Sequence, residues 1–230
     1  MEVKGGIVQF HGEDPDPKTE GEDKEMSFIE KILSHIRREF PELKISLEHI
    51  STEDAVDWTY DQDVKNTVAS IAIHHLMNTI DDLTGYSERS KELMCVHDGF
   101  KPQAKRRRDR DALRRAVFSG DRRFLYGGDD AAHLRHFAKE CLRASCGTWN
   151  TVPALPLLVE LLKNNGALNQ LEPFTSEHLA DFYGYPHNEG TVKLVREEWE
   201  VPEEYPVPGT SDGVVPFWFG EKLHWRVAID

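Results

Sequence analysis

Cysteine is scarce in this sequence, and long apolar runs are missing. The 230 residues include three cysteines, Cys95, Cys141 and Cys146, an odd number without a Cys-x-x-Cys spacing. This pattern counts against a disulfide framework and a zinc knuckle, and it favours a reducing compartment. No stretch approaches the ~18 apolar residues of a membrane span, and the chain does not open like a secretory leader. We therefore expect a cytoplasmic protein that does not bind membranes.

Several sequence motifs of common enzyme classes are also missing. The chain has no GxxxxGK[ST] loop, no GxGxxG after a strand, no GxSxG elbow and no HExxH. These absences count against ATP, dinucleotide, serine-hydrolase and zinc-protease chemistry. We accordingly predict no cofactor.

The composition is that of a folded protein with an α/β architecture. Apolar residues make up 39% of the chain, which includes five Trp and eleven Phe, enough material for a core. Apolar patterns predict strands at 6–10, 43–47, 93–96 and 124–126, separated by helical segments. This alternation predicts a Rossmann-like, mostly parallel sheet with helices on both faces.

We expect a single domain, residues 1–230, with two parts. Residues 1–150 form the Rossmann-like core, and residues 151–230 add less regular helices and a terminal hairpin that pairs 214–219 with 223–229.

Two helix predictions within the core depend on local patterns. Ser27 and Glu30 have the spacing of a capping box, which places a helix start at Ser27. A second helix is predicted where Val64, Val68 and His75 recur on one side.

Positive charge is concentrated in one segment of an acidic chain. The formal net charge is −13, but residues 101–123 have ten Lys or Arg against three Asp, a local charge of +7. An acidic protein of this kind is not expected to coat DNA, whereas a basic patch can bind a single polyanion. The alternative is a solvated helix surface neutralised by ordinary ion pairs.

The basic segment follows the predicted strand 93–96 and is expected to be helical from 102 to about 118. Arg suits phosphate oxygens because its guanidinium is a planar fork. The candidate phosphate-binding residues are Lys105, Arg106, Arg107, Arg108, Arg110, Arg114 and Arg115.

Residues 92–117, ELMCVHDGFKPQAKRRRDRDALRRAV, resemble the strand, Gly-aromatic turn and Arg-rich helix of cyclodipeptide synthases. The resemblance implies a transferase that binds aminoacyl-tRNA on this helix, forms a seryl acyl-enzyme and releases a diketopiperazine.

The resemblance also implies catalytic residues. In the family a serine follows the first strand, but here that strand continues into His11 and Gly12, so Ser51 is the nearest substitute. Ser51 could equally cap the helix that begins near Thr52. The family's Tyr-x-x-x-Glu pair has a counterpart in Tyr185 and Glu189, for which a surface turn is the alternative.

Two other classes of function remain open. A metal-dependent phosphohydrolase of the HD type would take its ligands from His74, His97, Asp98 and Asp130. A non-enzymatic adaptor would instead dock the basic helix on RNA or on an acidic partner. The sequence does not indicate an oligomeric state.

Overall fold

Four parallel strands form the central sheet of the structure, a computed structural model that describes residues 5–84, 101–135 and 147–228. The strands are β1 (Ile7–His11), β2 (Lys44–Glu48), β3 (Thr67–Ile71) and β4 (Phe124–Tyr126). The predicted mixed α/β class with a parallel sheet is therefore confirmed. The predicted strand 93–96 lies outside the described residues.

Each strand pairs with the strand that follows it, so the order in the sheet is β1-β2-β3-β4. A doubly wound Rossmann sheet reverses its winding direction at a switch point between two halves. The four strands described here have no such reversal, because the winding proceeds one way from β1 to β4.

Helices connect the strands and cover the core. The first is α1 (Lys24–Phe28), which continues through the π-helical segment Ile29–Leu33 into α2 (Ser34–Glu39). The other helices before β4 are α3 (Glu53–Tyr60), α4 (Ile73–Met77), α5 (Ile80–Thr84) and α6 (Arg107–Ser119). After β4 come α7 (Ala154–Asn164), the short turns Leu168–Gln170 and Pro173–Glu177, and α8 (His178–Tyr183). None of the helices in the described ranges has the length and apolar character that crossing a membrane requires.

The helix predicted from Val64 to His75 is wrong, because Thr67–Ile71 is strand β3. All five residues of β3 are buried. Burial on both faces removes the apolar–polar alternation that distinguishes a strand from a buried helix, and the two polar residues of β3, Thr67 and Ser70, are three positions apart.

The predicted helix start at Ser27 is also wrong, since the helix begins at Lys24. The Ser27 hydroxyl donates to Asp14 Oδ2 at 2.5 Å instead of capping the helix.

The terminal hairpin differs from the prediction in its pairing. Strand β5 (Leu194–Glu200) pairs antiparallel with β8 (Lys222–Val227). Between them β6 (Tyr205–Pro206) pairs with β7 (Gly213–Val214). The partner of the last strand therefore lies more than twenty residues upstream, where Glu197 and Glu198 accept from Arg226 and Lys222 across the pair.

One apolar core unites the two parts of the chain. Ile45 and Leu47 of β2, Leu158 and Leu162 of α7, and Phe217 belong to a single buried cluster. Burial of each large side chain of this kind contributes about 1.5–3 kcal/mol to the stability of the folded state.

Asp14 organises the loop between β1 and α1. Its carboxylate accepts from the Ser27 hydroxyl, the Asp16 amide at 2.9 Å, the Lys31 ammonium at 3.0 Å and the Thr19 hydroxyl at 3.1 Å. These donors, the Ser27 hydroxyl first, hold the pKa of Asp14 well below its usual range.

Glu25 is a fully buried carboxylate beneath the loop that follows β2. Its oxygens accept from the Ser51 amide at 3.0 and 3.1 Å, from the Ser51 hydroxyl at 3.3 Å and from the Thr52 hydroxyl. Burial raises the pKa of Glu25, and the hydrogen bonds oppose that shift. The buried Lys105 is the nearby cation, and its ammonium donates to the Gly21 carbonyl at 2.9 Å.

We predict that Asp14→Asn destabilises the protein at neutral pH and that the effect disappears in acid. The pKa of Asp14 is lower in the folded than in the unfolded state, so its contribution to stability is complete above the unfolded value of about 3.9. It is lost as the pH falls through the folded value. Urea unfolding measures the difference in free energy of unfolding between the wild type and the variant. This difference should be equal at pH 7 and pH 5 and smaller at pH 3. Asp16→Asn is the control, and a difference independent of pH would contradict the prediction.

We predict that Glu25→Ala lowers the free energy of unfolding by about 2–4 kcal/mol, because it leaves the Ser51 and Thr52 donors buried without their acceptor. Glu30→Ala changes an exposed glutamate of the same helical segment and should cost little. Denaturant titration measures both. Equal effects of the two variants would contradict the importance of the buried contacts.

Candidate active site

Polar side chains gather where the four strands end. His11 is the last residue of β1, His49 follows β2, His74 lies three residues beyond β3, and Asp129 lies three residues beyond β4. We call these four residues the carboxyl edge. Parallel strands all end on the same side of a sheet, which is where ligands bind in this class of fold.

A serine on the neighbouring strand positions His49. The backbone of His49 is left-handed, with φ of 41°, a conformation that few residues other than glycine adopt. Its amide donates to Ser70 Oγ at 2.7 Å, and the Ser70 hydroxyl donates to Glu48 Oε2 at 2.6 Å. These bonds, with Glu25 holding Ser51 on the other side, fix the turn that directs the imidazole.

His11 and His49 face each other at this edge. His11 Nδ1 lies 3.3 Å from His49 Nε2, and the ring centroids are 4.9 Å apart. The other nitrogen of His11, Nε2, lies 3.1 Å from Glu13 Oε2. The hydrogen bond to Glu13 raises the pKa of His11, whereas burial lowers the pKa of His49.

Asp129 follows two glycines, the first of which lets the backbone lie close to Ser70 of β3. A Cβ on Gly127 would lie 2.8 Å from the Cβ of Ser70, so only glycine fits there. Asp129 itself has φ of 46°. Burial raises the pKa of its carboxyl group, and the His49 and His11 imidazoles act in the opposite direction.

The donors at the carboxyl edge fit a divalent cation such as zinc. Two nitrogens bound tetrahedrally at the usual Zn–N distance of 2.0–2.1 Å stand about 3.3–3.4 Å apart. The separation of His11 Nδ1 and His49 Nε2 is 3.3 Å. Glu13 supplies the outer carboxylate that commonly accepts from the second nitrogen of a ligating histidine.

The described residues do not form a complete metal site. Within 5–84, 101–135 and 147–228, no three His, Cys, Asp or Glu side chains are arranged to hold a metal ion. Within the described residues, His11 and His49 therefore stand as a pair of candidate ligands.

The structure places the three predicted transferase residues in different surroundings. Ser51 is 1% exposed, and its hydroxyl is bonded to Glu25. Tyr185 is exposed and stacks on Tyr183, with ring centroids 5.9 Å apart. Tyr185 lines an open groove of about 270 Å³, which Gln9 also lines. Glu189 is exposed to solvent.

Most cations of the basic helix already have partners within the chain. Arg106 pairs with Glu22, Arg115 with Glu53 at 3.1 Å and Arg110 with Asp111 at 2.9 Å. Arg114 donates to the Leu76 carbonyl at 2.7 Å, and Arg108 lies 3.8 Å from Asp109. Lys105 is buried, and Arg107 is exposed.

The residues proposed for a phosphohydrolase metal site are only partly described. His74 lies at the carboxyl edge, and Asp130 accepts backbone hydrogen bonds from Asn150 and Thr151. His97 and Asp98 lie outside the described residues.

His11 and His49 were not among the site residues predicted from the sequence, and of the neighbouring Asp129 and Asp130 the predicted metal set included Asp130 alone. A usable signal was present, because each comes at or just after the end of an apolar strand in an α/β alternation. Polar residues at such positions are candidates for chemistry in a parallel sheet.

Curated proteins resemble the chain over almost its whole length. A dihydroorotase of Shewanella frigidimarina is 37% identical over 227 residues, which are 99% of this chain and 63% of that protein. A dihydroorotase of Shewanella amazonensis is 39% identical over 227 residues and is covered to 64%. The chain therefore spans a little under two thirds of these relatives. No family model matches it.

Solved structures give the same picture. Campylobacter jejuni dihydroorotase has a TM-score of 0.82 and 32% identity, covering 96% of this chain and 60% of that chain. Saccharomyces cerevisiae dihydroorotase, solved with 5-fluoroorotic acid, has a TM-score of 0.84 and 28% identity. The match covers 99% of this chain and 64% of the yeast chain. A D-hydantoinase shares the fold alone, at a TM-score of 0.74 and 16% identity.

These similarities overturn the functional interpretation of the basic helix. The cyclodipeptide synthase resemblance is wrong, and with it the transferase activity and the aminoacyl-tRNA partner. The phosphohydrolase and adaptor alternatives are not supported either, since the relatives of 28% identity or more described above are dihydroorotases.

Proposed function

We propose that this chain is a dihydroorotase, which hydrolyses a cyclic amide bond of dihydroorotate at the carboxyl edge. The observation that supports this most is the convergence of His11, His49 and Asp129 at one edge of the sheet, in a chain 37% identical to dihydroorotases over 227 residues. Two imidazoles and a carboxylate suit hydrolysis at a metal centre.

The sheet is best understood as an arc of a β/α barrel, and residues 1–230 as one α/β unit. Sequential parallel strands are the winding of such a barrel, whose active sites lie at the carboxyl ends of the strands. The core that joins β2, α7 and Phe217 supports the single unit.

Each residue at the edge has a distinct task in this proposal. His11 and His49 would hold a divalent cation, and Glu13 orients the His11 ring through its second nitrogen. A cation held there would supply Lewis acidity toward the amide carbonyl and would lower the pKa of water.

Asp129 accepts the proton of the attacking water and delivers it to the ring nitrogen as the C–N bond breaks. A C–O bond forms at the carbonyl carbon, so the product is an open-chain acid that keeps its ureido group. A half-buried carboxylate with a raised pKa is suited both to accept and to release a proton.

We predict that Asp129→Asn lowers kcat for dihydroorotate by about 10²–10⁴-fold, because the amide cannot accept the proton. The bound metal should remain. Chromatographic separation of dihydroorotate from its ring-opened product measures turnover, with the exposed Asp54→Asn as the matched control. Wild-type protein that is folded and loaded with zinc but leaves dihydroorotate intact would refute the proposed function.

We predict that His11→Ala and His49→Ala each weaken zinc binding by more than about 100-fold, beyond the 10–100-fold that loss of an outer partner costs. Competition with a chromophoric chelator measures zinc affinity without any need for turnover. The control is His178→Gln, since His178 is buried and bonded to the Phe124 carbonyl at the opposite edge. Zinc affinity that is the same in all four proteins would argue against these ligands.

A further inference from the structure

His74 is a fully buried histidine next to Asp129. Its Nε2 atom lies 3.6 Å from Asp129 Oδ2, and the side chain of Asp129 is 31% exposed. This separation is slightly longer than a hydrogen bond. The two groups belong to different connections, the one after β3 and the one after β4.

Asn150 determines which nitrogen of His74 bears the proton. Asn150 Nδ2 lies 2.8 Å from the Gly128 carbonyl oxygen, and this contact identifies the atom as the amide nitrogen because a carbonyl only accepts. The same atom lies 3.1 Å from His74 Nδ1. Nδ1 must therefore accept, and the proton of the neutral imidazole is on Nε2, the nitrogen nearest Asp129.

Asp130 in turn holds Asn150 in place. Its Oδ1 atom accepts from the backbone amide of Asn150 at 2.5 Å and from the backbone amide of Thr151 at 2.9 Å. Two neighbouring residues of one loop thus have separate tasks. Asp130 binds the backbone of the segment that fixes His74, while Asp129 faces the histidines.

We propose that His74 is a positioning residue for Asp129, held by Asn150 so that its Nε2–H group points at the Asp129 carboxylate. This role rests on the proposed function, in which Asp129 moves the proton. Contacts in an active site are often long before substrate binds and shorten in the reacting complex. The Nε2–H group orients one carboxylate oxygen and leaves the other for the substrate.

A purely structural role for His74 makes a different prediction. The ring packs against His75, with centroids 4.4 Å apart, and against Phe217, with centroids 6.5 Å apart. If packing were its only task, any polar side chain of similar size would serve equally well, and only stability would change.

A pair of amide substitutions separates the two roles. Glutamine places a nitrogen near the position of Nε2, whereas asparagine places one near Nδ1. We expect His74→Gln to keep kcat for dihydroorotate near the wild-type value, and His74→Asn to lower it by about 10–100-fold with little change in KM. His178→Gln controls for replacing a buried histidine. Equal kcat values for His74→Gln and His74→Asn would overturn the positioning role.

The tautomer of His74 gives a readout that does not depend on turnover. Nitrogen-15 NMR of the histidine rings should show His74 protonated on Nε2, with the signal assigned by its loss in His74→Gln. Asn150→Asp should move the proton to Nδ1, because a carboxylate accepts it there. A wild-type His74 protonated on Nδ1 would refute the positioning role alone, whereas absence of dihydroorotate hydrolysis in wild-type protein would refute the proposed function.

Discussion

Parallel pairing of consecutive strands is the constraint on which the site depends. Because β1 to β4 pair in order and in the same direction, the residues that follow them all emerge on one side of the sheet. His11, His49, His74 and Asp129 are separated by up to 118 residues in sequence, yet they meet at this edge. The pairing requires only apolar strands of similar length, so the side chains that follow the strands are free to serve chemistry.

Acceptor side chains turn this general arrangement into a defined geometry. Glu25 holds the segment after His49, Ser70 binds the His49 amide, and Asp130 binds the amides of Asn150 and Thr151. Each acceptor engages backbone N–H groups near a residue of the edge. A loop fixed through its backbone cannot move its side chains without leaving a buried donor unpaired, which costs about 1–3 kcal/mol. Rigidity at the edge therefore comes from side chains other than the four that form it.

The sequence was informative about elements with a clear period and much less so about elements buried on both sides. The strands near 6–10, 43–47 and 124–126 were predicted close to their observed positions. A helix was predicted in place of strand β3 because Thr67–Ile71 is buried throughout and its polar and apolar residues do not alternate. The partner of β8 depends on contacts across more than twenty residues, which local patterns do not encode.

The site was harder to predict than the sheet because its residue types are common and only the order of the strands brings them together. A single histidine after a strand is common, and only the pairing order brings His11 within 3.3 Å of His49. The Arg-rich helix, by contrast, is conspicuous in the sequence but has little unpaired charge in the fold. Glu22, Glu53 and Asp111 neutralise three of its cations, and Arg114 is used to bind the carbonyl of Leu76 in α4. That last contact joins α6 to the short helix containing His74, so part of the basic segment supports the carboxyl edge structurally.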